Sequence, residues 1–269
     1  MHNLPLYQVD AFTSKLFGGN PAAVVPVPAF PSEALMQSIA SENNLSETAF
    51  VVVKGPGRFD IRWFTPVMEV RLCGHATLAA AHVMHQASGG GTEKMRFRTR
   101  KAGTIVVTPQ GPGSFTMEFA ADQPEKARHP KGLKDILRGQ KAEEVWRGTD
   151  DLIVVLKNQK AVERCRPDFA RLAALKKYRG LLLTAPGKEH DFVSRGFFPA
   201  YGINEDPVTG SAHTLLTPFW AARLGKNTLT ARQVSQRGGE LTCSLHGKKV
   251  RLTGQAVTYL SGQLHLEGE

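Results

Sequence analysis

The sequence predicts an α+β fold made of two similar halves, each with a mixed sheet curled around one buried central helix. Three observations support this prediction. A motif of arginine, phenylalanine and proline, followed by a glycine-led segment, occurs twice, about half a chain length apart. The segment after each glycine is apolar on nearly every side, which is typical of a buried helix. Most other apolar runs are short and separated by turn residues, which favours strands.

The repeated motif has the form R-x-F-x-P. It occupies residues 62–66 in the first half and residues 195–199 in the second. The glycine-led segments follow at residues 74–78 and 210–214. Because both copies place an apolar run, a proline-marked loop and a glycine in the same order, a tandem duplication explains them better than chance.

The two central helices are predicted over residues 76–84 and 212–224, where apolar side chains lie on nearly every face. Pro218 lies inside the second segment. Proline has no backbone N–H, and its ring clashes with the preceding turn of a helix. We therefore expect the second helix to kink or to end early at this position.

Two further helices and many strands complete the prediction. Ser32 can cap a helix with Leu35, Met36 and Ile39 on one face, and Asp168 can open another. Strands are predicted in the first half over residues 8–12, 22–26, 49–53, 59–64, 104–108 and 115–119. Those in the second half are predicted over residues 152–156, 180–185, 192–198, 241–245 and 249–254.

The predicted halves are two domains of one chain. With 269 residues, the chain suits two domains of about 130 residues each. Residues 1–112, completed by 255–269, form the N-terminal half, and residues 113–254 form the C-terminal half. A stretch rich in proline and glycine at residues 109–113 marks the boundary.

Composition excludes several classes of function. The chain is 41% apolar and 22% charged, as in ordinary globular proteins. It has neither a long uncharged apolar run nor a leader-like N-terminus, which predicts a cytoplasmic protein without a membrane partner. Three widely separated cysteines predict no metal centre and no disulfide.

The net charge of +10 raises the question of nucleic acid binding. The positive residues are spread over several segments and follow no nucleic-acid-binding motif. We therefore expect no nucleic acid partner, and the positive charge favours an anionic small molecule instead.

The two glycine-led helices indicate a binding site. The N-terminus of a helix presents unpaired N–H groups and a partial positive charge, and a glycine there lets a ligand approach the backbone closely. Gly74 and Gly210 therefore predict a site for a small carboxylic acid in the cleft between the halves. The alternative is that both glycines only permit tight turns.

Chemically capable side chains lie beside these glycines. His75 can exchange a proton near neutral pH, and Asp206 and Ser211 lie on either side of Gly210. Asp206 could equally be a turn or capping residue. Glu47 stands at the entrance to an apolar strand, where a carboxylate is either solvated or partly buried and suited to acid–base work.

Five segments together resemble the characteristic blocks of the phenazine-biosynthesis PhzF-like family. They are residues 17–24, 43–50, 73–77, 205–212 and 233–239, and the similarity in order and spacing extends over nearly the whole chain. The resemblance implies the diaminopimelate-epimerase-like fold, commonly a homodimer, and an isomerase that needs no cofactor.

The resemblance also implies residue roles. The family's reaction moves a proton between carbons and uses a glutamate as acid and base, which corresponds here to Glu47. The other implied catalytic residues are His75 and Asp206, and the implied substrate-binding residues are Gly74, Gly210 and Ser211.

Two alternatives remain open. Amino-acid racemases and epimerases of the same superfold use one cysteine from each half, and Cys73 resembles the first of these. Residues 206–208 occupy the symmetric place, while Cys165 and Cys243 are distant in sequence, so a two-thiol mechanism is disfavoured. The second alternative is a binding protein that has kept the fold without the chemistry.

Overall fold

The computed structural model describes residues 2–91 and 93–266. The chain forms two compact units. Unit 1 comprises Met1–Glu118 and Thr253–Glu269, and unit 2 comprises Phe119–Leu252. None of the helices in these described ranges combines the length and the hydropathy needed to span a bilayer.

The described part of unit 1 contains two helices and most of the longer strands. Its helices are α1 (Glu33–Asn43) and α2 (Gly74–Ala87). Its strands are β1 (His2–Ala11), β2 (Asn20–Val27), β3 (Glu47–Gly55), β4 (Arg58–Phe64), β5 (Glu69–Val70), β6 (Met95–Thr99) and β7 (Thr104–Gly111), with most of β8 (Ser114–Ala120) and of β17 (Lys249–Leu266).

The strands of unit 1 close into a ring. The order is β17-β1-β2-β3-β4-β6-β7-β8, and β8 pairs with β17. Pairs β2–β3 and β4–β6 are parallel because a helix connects each of them, whereas tight turns make β3–β4 and β7–β8 antiparallel. Helix α2 fills this ring, and residues 74–84 are all buried.

Unit 2 repeats this plan. Its helices are α3 (Leu133–Ile136), α4 (Gln159–Arg164), α5 (Phe169–Ala173) and α6 (Gly210–Leu224). Its strands are β9 (Glu125–Lys126), β10 (Glu144–Arg147), β11 (Asp151–Val155), β12 (Gly180–Pro186), β13 (Phe192–Phe198), β14 (Ile203–Asp206), β15 (Thr228–Gln233) and β16 (Gly239–His246).

The two units share one order of connections. In unit 2, β11 and β12 are parallel with α4 and α5 between them, and β13 and β15 are parallel with α6 between them. These pairs correspond to β2–β3 around α1 and β4–β6 around α2. The predicted α+β fold, with a mixed sheet around a buried helix in each half, is confirmed.

The R-x-F-x-P motif of unit 1 ties a loop to its strand. Arg62 lies in β4 and forms a two-pronged ion pair with Glu69, with separations of 2.8 and 2.9 Å. Its guanidinium also lies 5.2 Å from the ring centre of Phe64. The motif therefore fixes the loop that leads from β4 to the start of α2.

The motif of unit 2 makes the same arrangement. Arg195 in β13 forms a two-pronged ion pair with Glu205, with both separations at 2.7 Å, and lies 4.9 Å from the ring centre of Phe197. The repetition of arginine and phenylalanine thus has a structural reason, because each pair holds the loop before a central helix.

Of the two outcomes expected at Pro218, the early end is wrong, because α6 continues to Leu224, the predicted last residue of this helix. A proline leaves the carbonyl four residues earlier without its helical partner. In α6 that carbonyl belongs to Thr214, and it accepts a hydrogen bond of 3.1 Å from the backbone N–H of Asp122. This outside donor replaces the missing one, so the helix passes through the proline.

Candidate active site

Glu47 is the first residue of β3 and lies beside Ala22 of the parallel strand β2. Its side chain is only 12% exposed. Of the two environments that the sequence allowed for this carboxylate, the structure shows the buried one. A buried carboxylate needs a polar partner, because burial disfavours an isolated charge.

The partner comes from the start of α2. Cys73 is the N-cap residue of this helix, Gly74 is its first residue, and His75 follows. Thr77 donates a hydrogen bond of 2.6 Å from its hydroxyl to the carbonyl of Cys73, which fixes the first turn. His75 is 4% exposed and therefore shares the buried environment of Glu47.

The imidazole of His75 connects the group. Its Nε2 lies 3.1 Å from Oε2 of Glu47, within ion-pair distance. Its Nδ1 lies 3.5 Å from the sulfur of Cys73 and 3.1 Å from the amide nitrogen of Asn20. The structure thus brings the predicted residues Glu47 and His75 into contact and adds two neighbours, Cys73 and Asn20.

The charges of this group are set by burial and by Glu47. Burial alone would lower the pKa of His75, but Cys73 and Glu47 beside the ring outweigh it and hold this pKa well above its ordinary value. Burial and the charge of Glu47 raise the pKa of the Cys73 thiol to about 11. At neutral pH the thiol therefore keeps its proton.

In unit 2, the loop before α6 is held by buried polar side chains. The hydroxyl of Thr209 donates a hydrogen bond of 2.6 Å to the carboxylate of Asp206. Gln233 accepts from the backbone N–H of Thr209 at 2.9 Å and donates to the carbonyl of Asp206 at 2.7 Å. Asp206 is 8% exposed, so its carboxylate is held in a fixed and largely buried position.

Ser211 lies in the first turn of α6, next to Gly210. Its hydroxyl accepts a hydrogen bond of 3.1 Å from Arg179. Arg179 is itself fixed by an ion pair with the buried carboxylate of Asp151. The predicted binding residue Ser211 is therefore held in place by an arginine that is itself paired with a carboxylate.

The helices differ in whether a side chain caps their N-terminus. Side chains of Ser32, Asn158 and Asp168 cap α1, α4 and α5, as the sequence predicts for Ser32 and Asp168. Among the described residues, the N-cap residues of α2, α6 and the short α3 make no such bond; they are Cys73, Thr209 and Gly132.

His213 of α6 is buried, and we expect it to lower the free energy of unfolding at acidic pH. Burial lowers its pKa from 6.5 to about 4, and the bond to the Thr209 carbonyl offsets this only in part. Below about pH 6.5, His213 binds a proton in the unfolded protein but stays neutral in the folded protein. The free energy of unfolding should therefore fall by about 3 kcal/mol from this residue as the pH drops to about 4.

Urea unfolding at several pH values would measure this effect. His213→Gln should lose the extra fall in stability between about pH 6.5 and 4. His246→Gln, at an exposed position of the same unit, should keep it. Identical pH dependence in wild type and His213→Gln would contradict the assignment.

The cysteines argue against a two-thiol mechanism. The start of α6 aligns Thr209, rather than residues 206–208, with Cys73. Cys165 ends α4, and Cys243 lies in β16, where burial raises its thiol pKa to about 12. Within the described part of unit 2, neither thiol lies at the start of the central helix.

Comparison with known proteins decides the family. The family model described as phenazine biosynthesis-like protein matches residues 9–262. The chain belongs to this family. An uncharacterized isomerase of Pseudomonas aeruginosa is 49% identical over 263 residues, covering 98% of this chain and 99% of that protein. The crystal structure of a PhzF-family phenazine biosynthesis protein from Enterococcus faecalis is 43% identical, with a TM-score of 0.93, and covers 98% of this chain and 100% of that one.

More distant structures share the fold of the phenazine biosynthesis-like family. The crystal structure of a hydroxyproline epimerase from Agrobacterium vitis, with bound trans-4-hydroxy-L-proline, has a TM-score of 0.62 at 10% identity. It covers 97% of this chain and 92% of that one, and at this identity the likeness concerns the fold alone. The predicted diaminopimelate-epimerase-like fold is confirmed.

Sequence reasoning missed several polar residues around the site of this family member. Asn20 and Gln233 lie within segments that resemble the family, but their partners lie far away in sequence. The local pattern that could have indicated Asn20 is a polar residue between a glycine and a proline. Arg179 and Asp151 gave no signal, because charged residues just before one strand and at the start of another look like surface charge until the strands are placed.

Proposed function

We propose that the protein is an isomerase that needs no cofactor and moves a proton between two carbons of a small carboxylic acid. The observation that carries the proposal is the buried contact of 3.1 Å between Glu47 and His75 at the start of α2. A general acid or base must hold its proton in a defined place, and burial beside a charged partner provides this.

Glu47 is the proposed proton carrier. Its carboxylate removes a proton from a carbon next to the conjugated system, and the electrons of the broken C–H bond spread into the substrate carboxylate. The Glu47 carboxyl group then returns a proton to another carbon, which restores both the enzyme and the substrate charge. His75, 3.1 Å from Glu47, holds the carboxylate in place for the first transfer.

The proposed binding groups are backbone amides and a hydroxyl. Gly74 opens α2 and Gly210 opens α6, and both helix N-termini favour negative charge. Ser211 adds a hydroxyl fixed by Arg179, and Asp206 is a proposed second proton carrier. The single cleft between the halves, the homodimer and the cytoplasmic location stay predictions.

Deuterium uptake from heavy water tests this proposal. Wild-type protein is incubated with a set of cyclic and conjugated carboxylic acids, and mass spectrometry measures incorporation at carbon. We expect one acid class to gain deuterium with wild type and to gain none with Glu47→Gln. Binding of an acid without any exchange would instead support a binding protein, and exchange by both proteins would exclude Glu47 as the proton carrier.

A further inference from the structure

Three different metal-binding side chains meet at the start of α2. They are the carboxylate of Glu47, the thiol of Cys73 and the imidazole of His75. One donor atom from each lies within 4.8 Å of the others, and all three residues are buried. The sequence predicts no metal centre, because its three cysteines are widely separated and form no C-x-x-C pair.

Two of the three donors have a spacing similar to that of a four-coordinate site. In tetrahedral zinc sites, bond lengths of about 2.0–2.3 Å place donor atoms roughly 3.3–3.6 Å apart. Nε2 of His75 and Oε2 of Glu47 lie 3.1 Å apart, whereas the sulfur of Cys73 lies 3.5 Å from the other ring nitrogen, Nδ1. A metal bound by Nε2 and Oε2 therefore requires the Cys73 side chain to rotate toward it, from a starting position where one donor atom of each residue lies within 4.8 Å of the others.

Two of the donor atoms have spare bonding capacity. Oε2 of Glu47 and Nε2 of His75 are buried, and neither makes a hydrogen bond to another described residue. Their mutual contact satisfies the distance for an ion pair without the alignment of a hydrogen bond. Buried polar atoms in this condition favour an additional ligand between them.

The donor chemistry selects the cation. A thiolate and a carboxylate together carry two negative charges, which balance one divalent cation, and the imidazole adds a neutral nitrogen. Sulfur and nitrogen donors prefer zinc-like ions over magnesium or calcium, which prefer oxygen. Three protein donors leave one of four positions for water or an anion.

We propose that Glu47, Cys73 and His75 bind one zinc-like divalent cation, and that the bound cation inhibits the enzyme. On binding, the thiol of Cys73 releases its proton to solvent and the sulfur donates an electron pair to the metal. His75 binds through an unprotonated nitrogen, and Glu47 binds as the carboxylate. No oxidation occurs. The inhibitory part rests on the proposed function, because Glu47 can no longer carry a proton while it holds the metal.

Cobalt(II) is the probe for the site. Added to the resting protein without substrate, it should bind one ion per chain and give the intense near-ultraviolet absorption of a thiolate-bound cobalt. Zinc should displace it, because zinc binds such donor sets more tightly than cobalt. This measurement needs no turnover, so it succeeds or fails independently of the proposed reaction.

Matched cysteine variants locate the sulfur. Cys73→Ser should remove the absorption and weaken binding at least tenfold, whereas Cys165→Ser and Cys243→Ser should keep both. The double variant that lacks Cys165 and Cys243 should also keep the absorption, which tests the site even where Cys73→Ser fails to fold. Glu47→Gln should keep the absorption and bind cobalt at least tenfold more weakly.

Several outcomes would overturn the site. They are absorption that survives Cys73→Ser, absorption that disappears with Cys165 or Cys243, and wild-type protein that shows no thiolate–cobalt absorption at saturating metal. With an acid that exchanges deuterium, zinc should block exchange over the same concentrations at which it displaces cobalt. Full exchange by zinc-saturated protein would overturn inhibition while leaving the proposed isomerase intact.

Discussion

Replacing Glu47 by glutamine is expected to lower turnover by about 10²–10⁴-fold while the substrate acid still binds. Glutamine has the size of glutamate and can still reach His75, but its amide neither takes up nor releases a proton at neutral pH. The change should therefore appear in kcat, with binding of the acid retained. Steady-state kinetics and calorimetry, with the acid that wild type labels with deuterium, measure the two quantities.

The matched control is Glu42→Gln. Glu42 lies on the exposed face of α1 in the same unit, so this variant loses the same charge without touching the site. It should keep wild-type turnover. Turnover by Glu47→Gln within tenfold of wild type would contradict the role assigned to this carboxylate.

Glu47→Gln should also change the titration of His75. In the wild type, Cys73 and Glu47 outweigh the effect of burial and hold the pKa of this imidazole well above its ordinary value. Without the Glu47 carboxylate, one of the interactions that counteract burial is lost. The pKa of His75 should therefore fall, and its ring should lose its proton at lower pH. NMR titration of the histidine signals measures this shift, and an unchanged His75 signal would show that the contact has no electrostatic role.

The parts of the fold that the sequence predicts are those with strong local signals. Strand β13, predicted over residues 192–198, has those bounds because its apolar run ends at a proline. Ser32 and Asp168 cap the helices they were expected to cap, because capping depends only on the next three residues.

The missed strands have weak local signals. Strand β6 alternates buried and exposed residues, but its exposed arginines Arg96 and Arg98 make the segment look like surface charge. Strand β15 buries Ala231 and Gln233, which are poor strand formers. Both are held by parallel pairing with β4 and β13, and such pairing depends on strands that are distant in sequence.

The candidate site shows the same division. Gly74, His75, Gly210 and Ser211 could be predicted because a glycine that opens an apolar helix is a local pattern. The contact between Glu47 and His75 could not, since it depends on how α2 packs inside the ring of strands that contains β3. Long-range packing also places Cys73 in this group, and with it the metal-binding donor set.

Replacing Arg195 by methionine is expected to lower the free energy of unfolding by about 3–5 kcal/mol. The side chain of Arg195 is 6% exposed, and its ion pair with Glu205 fixes the loop before α6. Its Nη1 also donates to backbone carbonyls at the end of α4, including that of Cys165 at 2.6 Å. Methionine keeps much of the packing volume, so the loss should reflect the unpaired carboxylate and carbonyls.

Arg223→Met is the matched control for Arg195→Met, with both measured by urea unfolding at neutral pH. Arg223 pairs with Glu144 where the two side chains are 34% and 30% exposed, so its loss should cost at most about 1 kcal/mol. The loss of unfolding free energy for Arg62→Met should lie between the other two, because one of the ion pairs of Arg62 is with Glu33, whose side chain is 62% exposed. If all three variants lost the same free energy of unfolding as the exposed control, the repeated arginines would not stabilise the loops. Their presence in both halves would then need another explanation.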